Sequence, residues 1–126
     1  MLQNISGLLD SEISEVKRND VRTLVSLFDK YKDVNPVVSS VVLFGSVATG
    51  DCNENSDIDI VVVGKDINKY MNKLAPMLTE FYHSADSTVD ILYADSFEQM
   101  QETSRSHIVF LNVIEEGKII WQGRGG

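Results

Sequence analysis

The apolar residues of this chain fall into runs whose spacing alternates between helical and strand-like, which predicts a succession of helices and strands. From about Ile5 to Tyr31 they recur mostly at three- and four-residue steps: Ile5, Leu8, Leu9, Ile13, Val16, Val21, Leu24, Val25, Phe28 and Tyr31. That pattern predicts one long helix or two short ones, with Ser11 or Asp20 able to cap a restart. Its plainest role is to cover one face of a sheet, although its length also suits a partner-binding helix. Pro36 drives its predecessor out of helical geometry and ends the segment. Val37 to Phe44 then predicts a central strand, apolar on both faces apart from Ser39 and Ser40. Gly45 to Gly50 predicts a turn and the start of a short helix, Asp51 to Ser56 a polar loop, and Asp57 to Val63 a second buried strand closed by Gly64.

Ile67 to Tyr82 predicts a second helix with Tyr70, Leu74, Leu78 and Phe81 on one face, and Pro76 should kink it or mark its restart. Thr88 to Tyr93 (TVDILY) is a third strand, apolar but for one acid. Ser96 caps a turn holding Phe97 and Met100. Ser104 or Ser106 opens a last helix, with Ile108, Leu111 and Ile114 spaced to face inward and Asn112, Glu115 and Glu116 to face water. Gly117 supplies its C-cap, and Lys118 to Trp121 forms a short closing strand. The expected fold class is α/β, a small mixed sheet with helices packed mainly on one side. With no repeat or linker, residues 1–126 are expected to form one domain: a helical segment over 1–35, a core over 37–121, and a disordered tail over 122–126.

Composition narrows the function classes. Hydrophobic content of 43% and charged content of 24% are those of an ordinary soluble globular protein. The formal net charge of −8 argues against a general affinity for nucleic acid, which calls for a basic face. It leaves nucleotides open, because metal ions can bridge carboxylates to phosphates. A single cysteine, Cys52, excludes an internal disulfide and suits a reducing cytoplasm. Neither a signal peptide nor a membrane span is visible, so a cytoplasmic location is expected.

Candidate chemistry concentrates between Val41 and Gly64. Side chains alternate along a strand, so Asp57 and Asp59 share a face, their α-carbons roughly 6.6 Å apart. Two carboxylates side by side in an apolar strand repel each other and lose hydration. A divalent cation offsets both costs, and hard oxygen ligands suit magnesium. Gly45-Ser46, about ten residues earlier, offers backbone N–H groups and a hydroxyl to a triphosphate on the other side of the metal.

Gly45-Ser46, a short spacer and Ser56-Asp57-Ile58-Asp59 together resemble the signature of the polymerase-β-type nucleotidyltransferase superfamily, with its minimal nucleotidyltransferase branch the nearest match. The resemblance covers roughly Val37 to Tyr93 and, more loosely, the C-terminal helix and strand. It implies the nucleotidyltransferase fold and an in-line displacement at the α-phosphorus of an NTP, ATP first among them, with pyrophosphate leaving. Two Mg²⁺ ions held by three carboxylates serve that chemistry. Asp57 and Asp59 are the first two. The third should lie on a neighbouring strand and face the same way; Asp90 is the candidate, because it interrupts an apolar run where an unpaired carboxylate is costly. Asp86 and Asp95 flank that strand and are more easily read as turn residues.

The nucleotide-binding set implied is Gly45, Ser46 and Ser56. Ser46 donates to the β- or γ-phosphate or caps the short helix, Gly45 keeps the approach clear, and Ser56 caps the loop or orders Asp57. His83 and His107 lack acidic or cysteine neighbours at ligand spacing and are expected to be structural or at the surface. Cys52 lacks an activating electropositive setting, Trp121 is expected in the core, and Lys65 and Arg105 could reach phosphate but do not stand out from ordinary surface charge. Many relatives carry Arg where this chain has Thr49, and Thr offers no charged fork to phosphate. The resemblance further implies a helical HEPN-type partner protein or self-association, often in a toxin–antitoxin pair in which AMP is added to the partner. The alternatives are a non-catalytic antitoxin or binding module, and an NTP sensor that keeps the fold.

Overall fold

A computed structural model describes residues 3–4 and 15–123 of the chain. Five strands form one mixed sheet in the order β1-β5-β2-β3-β4. They are β1 (Gln3–Asn4), β2 (Ser40–Phe44), β3 (Ile58–Val63), β4 (Val89–Ala94) and β5 (Lys118–Gln122). β3 runs antiparallel to β2 and parallel to β4, while β5 is antiparallel to β2 and parallel to β1. The helices are α1 (Arg18–Lys30), α2 (Gly45–Thr49), α3 (Ala75–Ser84), α4 (Phe97–Ser104) and α5 (Ile108–Glu116).

β2 and β3 are central strands, and their sequences show it. SVVLF is buried throughout, and in IDIVVV only Asp59 is not fully buried. Alternation along β3 splits its side chains between two cores. Ile58, Ile60 and Val62 join the larger one, with Val21, Leu24 and Phe28 of α1 and Met77 and Phe81 of α3. Val61 and Val63 join a smaller one on the opposite face, with Val42, Phe44, Met100 of α4 and Val113 of α5. The larger cover therefore lies on one face as expected, and α4 with α5 adds a second that the apolar spacing did not announce. A register shift where β5 crosses Val41 and Val42 lets Ile120 and Trp121 both face the larger core while Ile119 packs on the other.

Element boundaries differ from expectation in physically readable ways. α1 begins at Arg18 after a turn over residues 15–17, so the predicted helix does not run unbroken through them, and Asp20 lies in its first turn instead of capping it. The remainder of that prediction, Ile5 to Ser14 with the Ser11 cap, lies outside the described residues. β2 starts at Ser40, later than Val37, because Val38 N–H donates to Asn35 O at 3.2 Å and closes a turn first. The segment from Ile67 holds two 3₁₀ turns, Ile67–Lys69 and Met71–Leu74, and Pro76 then occupies the first turn of α3. Pro76 thus starts a helix, where its missing N–H costs nothing.

Beyond Ser96, which accepts from Gln99 N–H at 3.0 Å, lies a full helix, α4, where only a turn was expected. In α5 the expected inward face is corrected. Ile108 is 74% and Leu111 39% exposed, and Val113 is the fully buried residue, flanked in the smaller core by Phe110 and Ile114. Gly117 follows α5 in an extended conformation, its N–H donating to Val113 O, so it closes the helix without a left-handed turn. Of the predicted tail, Gln122 belongs to β5 and Gly123 N–H donates to Ser39 O at 2.8 Å; residues 124–126 lie outside the described residues. Trp121 is buried against Phe28 as expected. Among the described residues no helix is long and apolar enough to cross a membrane.

Candidate active site

The sheet brings the acidic residues together through strand pairing. Parallel register sets Asp59 of β3 opposite Asp90 of β4, and antiparallel register sets Phe44 of β2 opposite Asp59. Asp59 shares its face with Val61 and Val63, and Asp90 with Leu92 and Ala94, so both carboxylates stand at the open end of the smaller core. Asp57 precedes β3 by one residue and is exposed.

Gly45 closes the third side. It follows the extended Phe44, takes φ +75°, and turns the chain straight into α2. A Cβ built on Gly45 would lie 2.5 Å from Asp59 Oδ2, so a side chain there would occupy the carboxylate's own space. Gly50 ends α2 at φ +88° with open space around it.

Electrostatics at this edge are those of crowded like charges. Burial pushes the Asp59 carboxyl up to about 6, with the Asp90 and Asp57 carboxylates and a hydrogen bond to Asp90 adding to the rise. Asp57 instead accepts from the Thr88 hydroxyl, just ahead of β4. Among the described residues, no three acidic, histidine or cysteine side chains are gathered closely enough to hold a metal ion as they stand. The donor set itself is all hard carboxylate oxygen, which fits magnesium.

Ser46 is the second residue of α2, half-buried, and its carbonyl accepts from Gly50 and Asp51 N–H, both at 3.0 Å. The N-cap position belongs to Phe44, so Ser46 is not the helix cap. Ser56 orders the loop before Asp57: its Oγ accepts from Asn53 N–H at 3.0 Å, and Asn55 N–H donates to Asn53 Oδ1 at 2.8 Å. Thr49 is exposed, its hydroxyl within 3.3 Å of Ser46 O and 3.4 Å of Asp51 Oδ2. Lys65 lies past the far end of β3 and is not brought to this edge. His83 and His107 are exposed.

Two features escaped the reading of the sequence. Thr88 holds Asp57, and Lys17 braces the edge from behind. Lys17 is 3% exposed, and its Nζ donates to Glu54 O and to Ser87 Oγ, both at 2.8 Å. Ser87 in turn donates to Asp20 Oδ2. One buried ammonium thereby ties α1 to the loop before Asp57 and to the turn before Asp90. A polar cavity of about 640 Å³ lies beside it, lined by Lys17, Asp20, Glu54 and Asp86 among others. A lysine at the start of an amphipathic helix carries no local mark of such a role.

The sequence profile of a family described as the nucleotidyltransferase domain matches residues 24–116, which include Gly45, Gly50, Asp57, Asp59 and Asp90. The chain belongs to that family. This nucleotidyltransferase is 28% identical over 85 residues to a Methanocaldococcus jannaschii protein provisionally named a protein adenylyltransferase, covering 67% of this chain and 79% of the relative. Its fold is similar to that of a provisionally assigned nucleotidyltransferase from Sulfolobus solfataricus, with a TM-score of 0.54, 23% identity, and coverage of 86% of this chain and 85% of the other. It is likewise similar to a chain in a toxin–antitoxin structure with AMP-PNP, at a TM-score of 0.52 and 24% identity, over 82% of this chain and 74% of that one.

Proposed function

We propose that this nucleotidyltransferase moves a nucleoside monophosphate, AMP first among them, from an NTP to a hydroxyl on a partner protein or small molecule, with magnesium. The observation that carries the reading is the in-register pair Asp59 and Asp90, with Gly45 pressed against Asp59 and Asp57 one residue ahead of the strand. The relative named for protein adenylylation and the toxin–antitoxin structure with AMP-PNP favour an adenine nucleotide and a protein acceptor. A helical HEPN-type partner, or a second copy of the chain, would present that acceptor.

Asp57, Asp59 and Asp90 would hold the Mg²⁺ ions, which when bound neutralise charge developing at the α-phosphate. The chain's own residues do the rest. Gly45 leaves the triphosphate room to approach, and the Ser46 hydroxyl donates to a β- or γ-phosphate oxygen. Ser56 and Thr88 fix the approach and orientation of Asp57. Asp90 accepts the proton of the attacking hydroxyl as the new O–P bond forms and the bond to the β-phosphate oxygen breaks. Pyrophosphate departs, and Asp90 returns its proton to water.

The test is incubation with each labelled NTP, Mg²⁺ and the neighbouring gene product, followed by mass analysis of that product. Asp90→Asn should leave nucleotide binding nearly unchanged and cut transfer by roughly 10²-fold or more, because a general base acts mainly in the transition state. One observation favours a second reading. Thr49 brings no positive charge to the phosphates, which suits an NTP sensor or a non-catalytic antitoxin. No transfer by the wild type with any of the four NTPs would establish that reading instead.

A further inference from the structure

We infer that the outer face of α5 is a self-association surface, on which a second copy of this chain lays the same helix antiparallel. The sequence of α5, IVFLNVIEE, is apolar except at Asn112 and its last two residues. A helix apolar on nearly every side is ordinarily enclosed. Here Phe110, Val113 and Ile114 pack into the smaller core, and the opposite side is left open. Ile108 is 74%, Val109 43% and Leu111 39% exposed, three large apolar side chains within one helical turn.

The polar residues on this side are ordered along the helix. Residues three and four apart share a face, so Ile108, Leu111, Asn112 and Glu115 stand in one outward stripe, with Val109 and Glu116 on its flank. Arg105, exposed in the turn between α4 and α5, lies three residues ahead of Ile108. From that turn onward the surface is basic at Arg105, apolar from Ile108 to Leu111, and acidic at Glu115 and Glu116. The two acids stand at the negative end of their own helix dipole, with no basic residue in that last turn. At the other end the first turn carries no acid, and His107 at the N-cap makes no side-chain hydrogen bond to it.

Two copies meeting through a two-fold axis need a surface complementary to itself, and a basic, apolar, acidic order supplies it when the second helix runs the opposite way. With the helices crossing at the level of Phe110, Val109 lies level with Leu111 of the second copy and Ile108 with its Asn112. The apolar centres then cover each other. Arg105 comes level with Glu115 of the second copy, and both acids there meet the positive end of α5 instead of the negative one. The two-fold repeats each of these contacts and closes the assembly at two chains. One short helix from each copy makes a small interface, so the association belongs to the weak, concentration-dependent class.

The test is sedimentation of the whole chain at low salt, without nucleotide or metal, so its outcome stands apart from that of the transfer assay. From about 5 to about 500 µM, a range suited to a small interface, the mass should rise from the 14.1 kDa of one chain toward twice that and no further. Ile108→Gln with Leu111→Gln should weaken association at least about tenfold. Both residues are exposed, so the thermal midpoint at low concentration should stay unchanged. Arg105→Glu sets like charges against each other in its own pairs, as does Glu115→Arg with Glu116→Arg, and each variant alone should associate several-fold more weakly. An equimolar mixture of these two variants restores opposite charges at both ends and should associate as the wild type does. A single-chain mass at every concentration would overturn the interface, and growth beyond two chains would overturn the closed pair. Undiminished association of the Ile108→Gln, Leu111→Gln variant would place the contact elsewhere and overturn the face. A mixture no tighter than its components would overturn the antiparallel arrangement.

Discussion

Asp59 loses hydration at a half-buried strand position and faces Asp90 and Asp57, and all of these push its carboxyl up, to about 6. The sign of the consequence follows from linkage. The folded carboxyl binds its proton more tightly than the unfolded one, which titrates near pH ~4. The stabilising contribution is therefore complete below pH ~4 and is lost as pH rises through ~6. A shift of that size corresponds to about 3 kcal/mol in a dry interior, and solvent screening at an open edge reduces it to ~1–2 kcal/mol. In EDTA, Asp59→Asn should therefore be more stable than the wild type by that amount at pH 7.5 and close to it at pH 4.5. Thermal unfolding across the pH range decides the matter, and a pH-independent difference would show that repulsion is not the cause.

Gly45 allows a paired comparison at the same scale. Gly45→Ala meets both a positive φ and the Asp59 carboxylate, whereas Gly50→Ala meets only the positive φ. Gly50→Ala should cost about 1 kcal/mol, the cost of a left-handed alanine. Gly45→Ala should cost more and, on the proposed function, abolish the stabilisation expected from Mg²⁺ with ATP by mass action. Denaturant titrations with and without Mg–ATP distinguish the two. These positions were legible in the sequence because each is a local anomaly: a charge in an apolar strand, a glycine at a strand's end. Thr88 was not, since its bond to Asp57 spans 31 residues.

Lys17 shows at the scale of elements why local reading stops short. Its ammonium joins α1 to Ser87 across 70 residues and to Glu54 O across 37, and no spacing rule reports such contacts. Lys17→Met keeps the length and apolar stem but leaves a part-buried carbonyl and a buried hydroxyl without their donor. The expected cost is about 2–3 kcal/mol, with faster hydrogen exchange at residues 53–57 and 86–90. Transfer should slow more than nucleotide binding weakens, because the clamp positions Asp57 and Asp90 instead of touching phosphate. Normal exchange at both segments would reduce Lys17 to ordinary core packing. The misplaced face of α5 has a different origin. IVFLNVI is apolar almost throughout, so its spacing admits more than one stripe. Packing against α4 and the sheet selects Phe110, Val113 and Ile114.

The whole molecule presents an acidic field to an anionic substrate. The net charge is −8. Composition made this much legible without any structure. The second layer of helices was hidden, because it depends on which face of the sheet α4 and α5 cover. Long-range repulsion between chain and nucleotide extends over the Debye length, about 30 Å at 0.01 M salt and ~8 Å at 0.15 M. Raising KCl across that range at fixed free Mg²⁺ should therefore strengthen NTP binding, by roughly two- to threefold, as screening removes the barrier. A protein that grips phosphates with a basic face behaves in the opposite sense, losing affinity steeply as added salt shrinks the gain from counterions released on binding. Calorimetric titration over the salt series measures the slope, and duplex DNA and RNA in the same series should show no retention. If NTP binding weakens steadily with KCl, basic groups dominate the approach of the nucleotide, and the acidic field is not what the substrate meets.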